Sequence, residues 1–269
     1  MIIVNGIETS MLEASDRGLM YGDGVFRTMV MRDSRVVWWE SQFGKLQDDC
    51  VALGIACPSK GILENELTLM GAKMPDCVVK IIVTRGAGLR GYGASSVQAP
   101  TRILSTSPLP GFPADYIQKG VKVRVCDLRL SHQPRLAGIK HLNRLENVLA
   151  RSEWIDSEIA EGLLLDECEN VISGTMSNIA LIKNGVFITP DLSMCGIAGV
   201  TRQRIMKLVV EWGWQINVQP VFLSMLIEAD EVFLSNSVIG LWQITELQGK
   251  KWQPGNLTHK IRCALHESH

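Results

Sequence analysis

The sequence predicts an α/β protein of two domains. The chain has 269 residues, which is long for one core and suits two modest domains. Hydrophobic residues make up 46% and charged residues 20%, a balance typical of globular proteins. Hairpin patterns come first and helical patterns follow, until a proline-rich stretch at 108–113 interrupts both. We therefore predict a small α/β domain at 1–107, a linker at 108–114 and a larger domain at 115–269.

In the first domain, alternating apolar residues bounded by turn residues predict antiparallel strands. Turn signals at Asn5-Gly6 and Asp33-Ser34 predict tight hairpins. The predicted strands are 2–4, 25–31, 36–39, 78–84 and 102–106. Apolar residues at helical spacing predict helices at 40–53 and 62–70.

In the second domain, short strands alternate with helices. Asn184-Gly185 between two apolar runs is a strong hairpin signal. The predicted strands are 121–128, 162–165, 177–183, 186–188, 216–222 and 231–234. A helix is predicted after residue 140, an amphipathic one at 201–212 and a short one from Ser224.

Charge and cysteine usage limit the kinds of partner. The formal net charge is -1 and the sequence pI about 6.5, so no overall field attracts nucleic acid or anionic membrane. The seven cysteines form no CxxC pair, which is typical of a reducing compartment. The first residues lack a basic leader, and no apolar run is long enough to cross a bilayer. We expect a cytoplasmic protein that acts on small molecules.

Lys140 is the strongest candidate for covalent chemistry. It follows a glycine and precedes apolar residues at helical spacing, which predict a helix with a buried face. Those residues are Leu142, Leu145, Val148 and Leu149. A lysine at the edge of such a face is partly removed from water and becomes a nucleophile toward a carbonyl, as Schiff-base lysines require. A plain surface lysine at a helix start is the alternative.

The segment 85–93 contains a literal G-x-G-x-x-G pattern, but it does not predict a dinucleotide site. Such a fingerprint must open a helix, and the residues that follow prevent one. Those residues are Tyr92, Gly93, Ser95, Ser96 and Pro100. We expect a loop that presents Arg90 to a ligand carboxylate, although a solvated loop arginine explains the segment equally well.

Two polar turns predict a phosphate site. Residues 195–202 run from a glycine-rich turn into a helix, so the amides of Val200 and Thr201 and the Thr201 hydroxyl suit an anion. Ordinary capping by Thr201 is the alternative. The turn Ser235-Asn236-Ser237 offers further donors. No zinc, calcium or Ser-His-Asp spacing emerges, so we expect no metal, and a lysine beside phosphate donors favours pyridoxal 5'-phosphate as the cofactor.

Five segments carry a resemblance to a known family. They are 21–26 (YGDGVF), 85–92 (RGAGLRGY), 140–146 (KHLNRLE), 174–178 (GTMSN) and 199–202 (GVTR). In order and spacing they resemble the class-IV pyridoxal-phosphate enzymes, and among these the lyases of 4-amino-4-deoxychorismate. The resemblance implies the fold of the class-IV and D-amino acid aminotransferases, with the cofactor at the domain interface and usually a homodimer.

The resemblance also implies roles for individual residues. Lys140 would bind the cofactor, remove the C4 proton of the substrate and protonate the departing enolpyruvyl group, leaving 4-aminobenzoate and pyruvate. Thr28 would assist near the leaving group, and strand alternation places Arg27 on the opposite face. Arg90 and Tyr92 would bind substrate, with Arg102 as the alternative to Arg90. The implied cofactor-binding residues are Lys140, Lys45, Ser173, Val200, Thr201, Asn236 and Ser237.

Two positions depart from the family pattern. Lys45 stands where an arginine usually anchors the phosphate, so it keeps the charge and loses the bidentate fork. Ser173 aligns with the glutamate that usually protonates the pyridine nitrogen, with Glu169 as an alternative. A neutral pyridine is a weaker electron sink, which favours an elimination that forms an aromatic ring. The remaining alternatives are a branched-chain or D-amino acid aminotransferase and a cofactor-binding protein with impaired catalysis.

Overall fold

The structure is a computed structural model that describes residues 1–88, 90–93 and 99–267. Leu89 of the G-x-G-x-x-G segment, and Ser95 and Ser96 after that segment, lie outside the described residues. The chain forms two compact units, Met1–Pro110 with Ile139–Asn143 and Gly111–Gly138 with Arg144–His269. The first change of unit falls between Pro110 and Gly111. The expectation that Lys140 belongs to the C-terminal domain is wrong, because its segment pairs with a strand of the first unit.

The first unit contains a six-stranded antiparallel sheet in the order β2-β1-β6-β5-β3-β4. Its strands are β1 (Ile2–Val4), β2 (Ile7–Glu8), β3 (Gly24–Arg32), β4 (Arg35–Val36), β5 (Cys77–Thr84) and β6 (Thr101–Ser107). Its helices are α1 (Arg17–Tyr21), α2 (Trp39–Ala52) and α3 (Lys60–Lys73). Met29 and Met31 of β3 share a core with Leu46 of α2 and Leu63 and Met70 of α3. The strand predicted at 36–39 ends early, because Trp38 is left-handed at φ 57° and α2 begins at the next residue.

The second unit contains a nine-stranded mixed sheet in the order β12-β11-β10-β13-β14-β7-β8-β9, with β15 paired to β14. Its strands are β7 (Val121–Leu130), β8 (Ile159–Asp166), β9 (Val171–Gly174), β10 (Asn178–Lys183), β11 (Val186–Pro190), β12 (Ile216–Gln219), β13 (Glu231–Asn236), β14 (Gly240–Leu247) and β15 (Lys250–Lys251). Its helices are α4 (Asp115–Gln118), α5 (Leu145–Arg151), α6 (Val200–Glu211), α7 (Leu223–Ile227) and α8 (Asn256–Glu267).

The sheet of the second unit curls back on itself. β9 pairs with β8 on one side and with β10 on the other, where Ser173 is registered opposite Asn178. The inside is packed with apolar side chains such as Leu163, Leu181 and Trp242. The sequence patterns do not predict β9, since its four residues are all buried and show no alternation. None of the helices in the described ranges is long and apolar enough to cross a membrane.

The helix predicted after Lys140 is shorter than expected, and its apolar face is not buried. α5 begins at Leu145, and Leu145, Val148 and Leu149 are 74%, 56% and 60% exposed. Ala150 is the buried residue of this helix. The prediction of a buried face is therefore wrong for the chain by itself, because periodicity identifies an apolar face without identifying what covers it.

Candidate active site

Lys140 lies in an extended segment that pairs with the beginning of β3. Its carbonyl accepts the Phe26 N–H at 2.9 Å, and the N–H of Leu142 donates to Gly24 O at 3.0 Å. A Cβ atom at position 24 would lie 2.7 Å from Val83 O and 2.8 Å from the Leu142 side chain. Glycine at this position therefore allows the lysine segment to approach the sheet.

Asp49 of α2 fixes the other side of the lysine segment. Its buried carboxylate accepts hydrogen bonds from the Arg27 guanidinium, from Lys45 Nζ and, at 3.2 Å, from the Lys140 backbone N–H. Burial lowers the pKa of Arg27, and Asp49 opposes that effect. Lys45 therefore lies against Asp49, and its role as a phosphate anchor stays a prediction. The sequence analysis missed Asp49, whose i,i+4 spacing from Lys45 is the one local signal.

The Lys140 amine lies over the ring of Phe26, with Nζ 4.5 Å from the ring centroid. Phe26 and Thr28 occupy the half-buried face of β3, whereas Arg27 between them is buried. The predicted alternation of Arg27 and Thr28 is confirmed. Thr28 thus shares a strand face with the ring that the catalytic candidate contacts.

Lys80 joins this face from the neighbouring strand. It is registered directly opposite Thr28 in the β3–β5 pair, and its Nζ lies 5.0 Å from the Phe26 ring centroid. Lys140 and Lys80 therefore place two Nζ atoms near one aromatic ring. The sequence analysis missed Lys80, because its position follows only from the register of two strands about 50 residues apart in the chain.

Arg17 of α1 holds the loop that carries Arg90 and Tyr92. Its guanidinium is 5% exposed and donates to the carbonyls of Gly91 at 2.9 Å and Tyr92 at 3.0 Å. The exposed Tyr92 ring also packs 5.4 Å from the ring of Tyr21. Arg90 is exposed. The loop is thus fixed at residues 91 and 92, next to the predicted substrate arginine.

Three further ion pairs of the first unit involve Asp23 or Arg102. Asp23 accepts hydrogen bonds from Arg17 Nε at 2.9 Å and Arg85 Nε at 2.8 Å. Burial raises the pKa of Asp23, but the hydrogen bonds from Arg85 and Arg17 outweigh it and the net pKa is lowered. Arg102, the alternative substrate arginine, pairs with Glu66 at 2.8 Å. Because Arg102 is already engaged, Arg90 remains the better candidate.

In the second unit, the structure brings together the two turns predicted to bind phosphate. α6 begins at Val200, and its first turn contains no acidic residue. The first amides of a helix have no intrahelical acceptor and favour an anion. Thr201 Oγ1 lies 3.3 Å from Ser237 Oγ. Two hydroxyls from distant parts of the sequence therefore meet at one helix N-terminus.

Asn178 shapes this turn and was missed by the sequence analysis as a site residue. Its Nδ2 donates to Ile197 O at 2.8 Å, and its Oδ1 accepts the Gly199 N–H at 3.1 Å. A Cβ atom at position 199 would lie 2.3 Å from that Oδ1. The last residue of the 174–178 segment thus fixes the loop that precedes α6.

The carboxamide of Asn236 makes hydrogen bonds within and beside its own turn. Its Oδ1 accepts the N–H groups of Val238 and Ile239, both at 2.8 Å, and its Nδ2 donates to Met176 O at 3.0 Å. Its carboxamide therefore shapes the turn that carries Ser237, and its role as a cofactor donor stays a prediction.

Ser173 is buried on β9, and the predicted alternative to it is directed elsewhere. Glu169 forms two hydrogen bonds with Arg129, at 2.7 and 3.0 Å, and its side chain is 64% exposed. The pKa of Glu169 is lowered by these bonds. The suggestion that Glu169 replaces the missing glutamate is therefore not supported.

A different glutamate, Glu161 of β8, contacts the turn that follows β9. It is 1% exposed and accepts hydrogen bonds from the hydroxyls of Thr175 at 2.5 Å and Ser177 at 3.0 Å. It also accepts the N–H groups of Thr175 and Met176, both at 3.1 Å. Glu161 therefore holds the turn after Ser173, and sequence reasoning found no signal for it.

Comparisons with known proteins agree with this geometry. The model of the family Amino-transferase class IV matches residues 24–247. The aminodeoxychorismate lyase of Vibrio harveyi is 30% identical over 98% of this chain and 99% of its own length. A putative branched-chain-amino-acid aminotransferase of Methanocaldococcus jannaschii is 30% identical over 92% of this chain and 87% of its own.

A solved structure gives the same result at higher similarity. The crystal structure of 4-amino-4-deoxychorismate lyase from Pseudomonas aeruginosa has a TM-score of 0.95 and 42% identity, covering 99% of this chain and 98% of that one. The predicted α/β fold class and the resemblance drawn from the motifs are both confirmed. On these matches, the chain belongs to the amino-transferase class IV family.

Proposed function

We propose that this chain is a pyridoxal-phosphate-dependent lyase that converts 4-amino-4-deoxychorismate into 4-aminobenzoate and pyruvate. The proposal rests on one face of the first sheet. On this face, Lys140 Nζ and Lys80 Nζ both lie near the Phe26 ring. Thr28 lies on the same face of β3, directly opposite Lys80. The similarity to lyases from Vibrio harveyi and Pseudomonas aeruginosa, over nearly the full chain, supports the substrate and the reaction.

The donor set of the described residues fits pyridoxal 5'-phosphate. The helix N-terminus at Val200, with the hydroxyls of Thr201 and Ser237, suits a phosphate. In this proposal Lys140 would supply the amine for an aldehyde, and Ser173 would stand in place of the glutamate that the family usually has at the pyridine nitrogen. When bound, the cofactor supplies an electron sink for the carbanion that forms on breaking a C–H bond.

Lys140 acts as the acid and base in this proposal. Hydrogen bonds to Phe26 and Asp49 fix the backbone of Lys140. The side chain extends from this fixed position and places Nζ at the aromatic ring. Nζ takes the C4 proton of the substrate and returns a proton to the departing enolpyruvyl group. The Thr28 hydroxyl donates a hydrogen bond near the leaving group.

The substrate has two carboxylates, and two cations of the first unit suit them. Arg90 offers a planar fork on a loop that Arg17 holds at Gly91 and Tyr92. Lys80 offers a point charge on the rigid strand β5, directly opposite Thr28. We assign Arg90 and Lys80 to substrate binding, with Tyr92 beside Arg90.

An aminotransferase is the second candidate, since the relative from Methanocaldococcus jannaschii carries that name. Ser173 favours the lyase, because aromatisation of the product offsets a weaker electron sink. The test is Ser173→Glu, which should increase transamination of ordinary amino acids more than lyase turnover. An equal or smaller increase in transamination would contradict this role of Ser173.

We further propose that the enzyme is a cytoplasmic homodimer. The exposed apolar residues Leu145, Val148 and Leu149 on α5 form a surface that a second copy would cover. All seven cysteines are free thiols, which agrees with a reducing compartment.

The decisive experiment is borohydride reduction of the cofactor-loaded enzyme followed by peptide mapping. Lys140 should be labelled, and labelling of Lys80, the other amine at the Phe26 ring, would overturn the assignment. In a coupled assay with lactate dehydrogenase, pyruvate should form from 4-amino-4-deoxychorismate and not from D-alanine with 2-oxoglutarate. The opposite substrate preference would refute the lyase and favour the aminotransferase.

A further inference from the structure

Three potential metal ligands converge in the second unit at a place that the proposed reaction does not use. Among the described residues, His132, Asp166 and Cys195 form one group whose donor atoms all lie within 4.8 Å of one another. His132 Nε2 lies 2.9 Å from Asp166 Oδ2. Sequence spacing did not reveal this group, because its members lie on three separate segments: the chain after β7, the end of β8 and the loop between β11 and α6.

The segments that carry the three donors are joined by backbone hydrogen bonds. The Gln133 N–H donates to Met194 O at 2.9 Å, and the Gly138 N–H donates to Gly196 O at 3.0 Å. These bonds flank Cys195 on both sides and fix it relative to the His132 segment. The site is therefore organised by the fold and does not depend on a chance approach of mobile side chains.

Asp166 is held just as firmly. Its Oδ1 accepts the N–H groups of Cys168 at 2.9 Å and Asn170 at 2.8 Å, while Oδ2 faces His132. The side chains of Asp166 and His132 are 4% and 24% exposed, so the cluster is mostly buried with an approach from the histidine side. A histidine–aspartate hydrogen bond alone would explain these two residues but not the thiol beside them.

A cavity of about 100 Å³ adjoins the cluster. His132 and Asp166 line it, together with Asp191, Ser193 and Met194. This volume accommodates a few water molecules, and the polar residues of an otherwise mostly apolar lining offer them partners. A cation held by the three side chains would thus have room for a fourth, exchangeable ligand.

We propose that His132, Asp166 and Cys195 bind one Zn²⁺ ion, with the fourth position toward the cavity. A mixed nitrogen, oxygen and sulfur donor set is typical of zinc and unsuited to magnesium or calcium, which prefer oxygen alone. Zinc bonds of about 2.0–2.3 Å place tetrahedral ligands about 3.3–3.6 Å apart, so the observed cluster needs only small side-chain shifts. Binding releases the thiol proton of Cys195.

The bound ion would cross-link three segments of the second unit, including the loop that leads into α6. We therefore expect zinc to raise the melting temperature of the enzyme, since a ligand that binds only the folded state stabilises it. This inference is independent of the proposed reaction, because its measurements do not involve turnover.

The test uses the full chain loaded with pyridoxal phosphate, stripped of metal by a chelator and then dialysed against Zn²⁺. One zinc ion per chain should bind, and His132→Asn and Cys195→Ser should each weaken binding by at least about 100-fold, because losing a direct ligand costs more than losing an outer-shell partner. Cys168→Ser is the matched control, since that thiol is exposed and lies two residues from Asp166. It should leave zinc binding and the rise in melting temperature unchanged.

Cys263→Ser tests the competing surface site, because Cys263 Sγ lies 3.5 Å from His259 Nε2 on α8. Loss of zinc in this variant, absence of zinc from the wild-type chain, or unchanged binding in Cys195→Ser would each overturn the proposal. Should the variants at 132 and 195 fail to fold, Co²⁺ added to the wild-type chain decides. Tetrahedral d–d absorption in the red, where pyridoxal phosphate does not absorb, supports the site, and an octahedral spectrum contradicts it.

Discussion

Replacing Asp49 by alanine should destabilise the first unit more than any surface charge change does. The carboxylate is 1% exposed and is shared by Arg27, Lys45 and the Lys140 N–H. Its removal leaves the Arg27 guanidinium, whose side chain is 3% exposed, without its buried counterion. Arg27 Nε already has no hydrogen-bond partner among the described residues.

The magnitude follows from the burial of the pair. Removing one partner of a buried ion pair costs about 3–5 kcal/mol, because the other charge stays desolvated. A midpoint of about 4 kcal/mol corresponds to a fall in Tm of roughly 8–16 °C for a chain of this size. Asp49→Asn keeps an oxygen for the Lys140 N–H and should recover only about 1 kcal/mol, since it does not restore the charge.

Urea unfolding monitored by circular dichroism measures both variants. Asp115→Ala is the control, because Asp115 pairs with Lys119 at the same i,i+4 spacing, at 2.8 Å, with side chains 58% and 74% exposed. That control should lose less than about 0.5 kcal/mol. The reasoning is refuted if Asp49→Ala costs no more than Asp115→Ala, or if Asp49→Asn restores full stability.

Three further predictions concern binding, pH and assembly. Lys80→Met should raise KM for 4-amino-4-deoxychorismate about 10- to 100-fold with a smaller effect on kcat, as expected when a charge-assisted contact to substrate is removed. The pKa of Asp23 is lower in the folded state than its unfolded value of about 3.9. The ionised carboxylate therefore stabilises the fold at pH values above 3.9, and this stabilisation is lost as the pH falls through the folded-state pKa. Urea unfolding between about pH 5 and pH 2 should therefore show a smaller loss of stability in Asp23→Asn than in the wild-type chain. Leu149→Asp should shift sedimentation from dimer to monomer, since it puts a charge into the exposed apolar surface of α5.

Matched controls sharpen these three measurements. Lys73→Met removes an exposed lysine of the same unit and should leave KM unchanged. Asp76→Asn changes a carboxylate that is 50% exposed and should leave the pH profile as in the wild-type chain. Val51→Asp alters an apolar residue that is 72% exposed on α2 and should leave sedimentation unchanged. A control that matched its test variant would contradict the corresponding prediction.

The parts of the fold that local patterns dictate were predictable. Asn5-Gly6 and Asp33-Ser34 form tight turns with positive φ, as their residue types indicate. The period of two along β3 separated Arg27 from Thr28. The glycine-rich turn and the Ser237 turn were each recognisable, although only the folded sheet brings Thr201 to Ser237.

The errors and omissions share one cause, which is that they depend on non-local packing. The apolar spacing at Leu145 and Val148 is real, yet nothing in it distinguishes a face covered by the same chain from one left exposed. Lys80 needs the β3–β5 register, and Asp49 needs the position of α2 beside the lysine segment. These relations are set by tertiary packing rather than by any local pattern.

The pairing of Ser173 with Asn178 has a consequence for how this enzyme can diverge. Among the described residues a single registered pair joins β9 to β10, and Asn178 also fixes the loop before α6. Because strand pairing is made by backbone groups, the side chain at position 173 can change while β9 stays paired with β10. The side chain that we propose to set the electron demand at the cofactor is therefore separable from the closure of the sheet, and Ser173→Glu changes the first without requiring a change in the second.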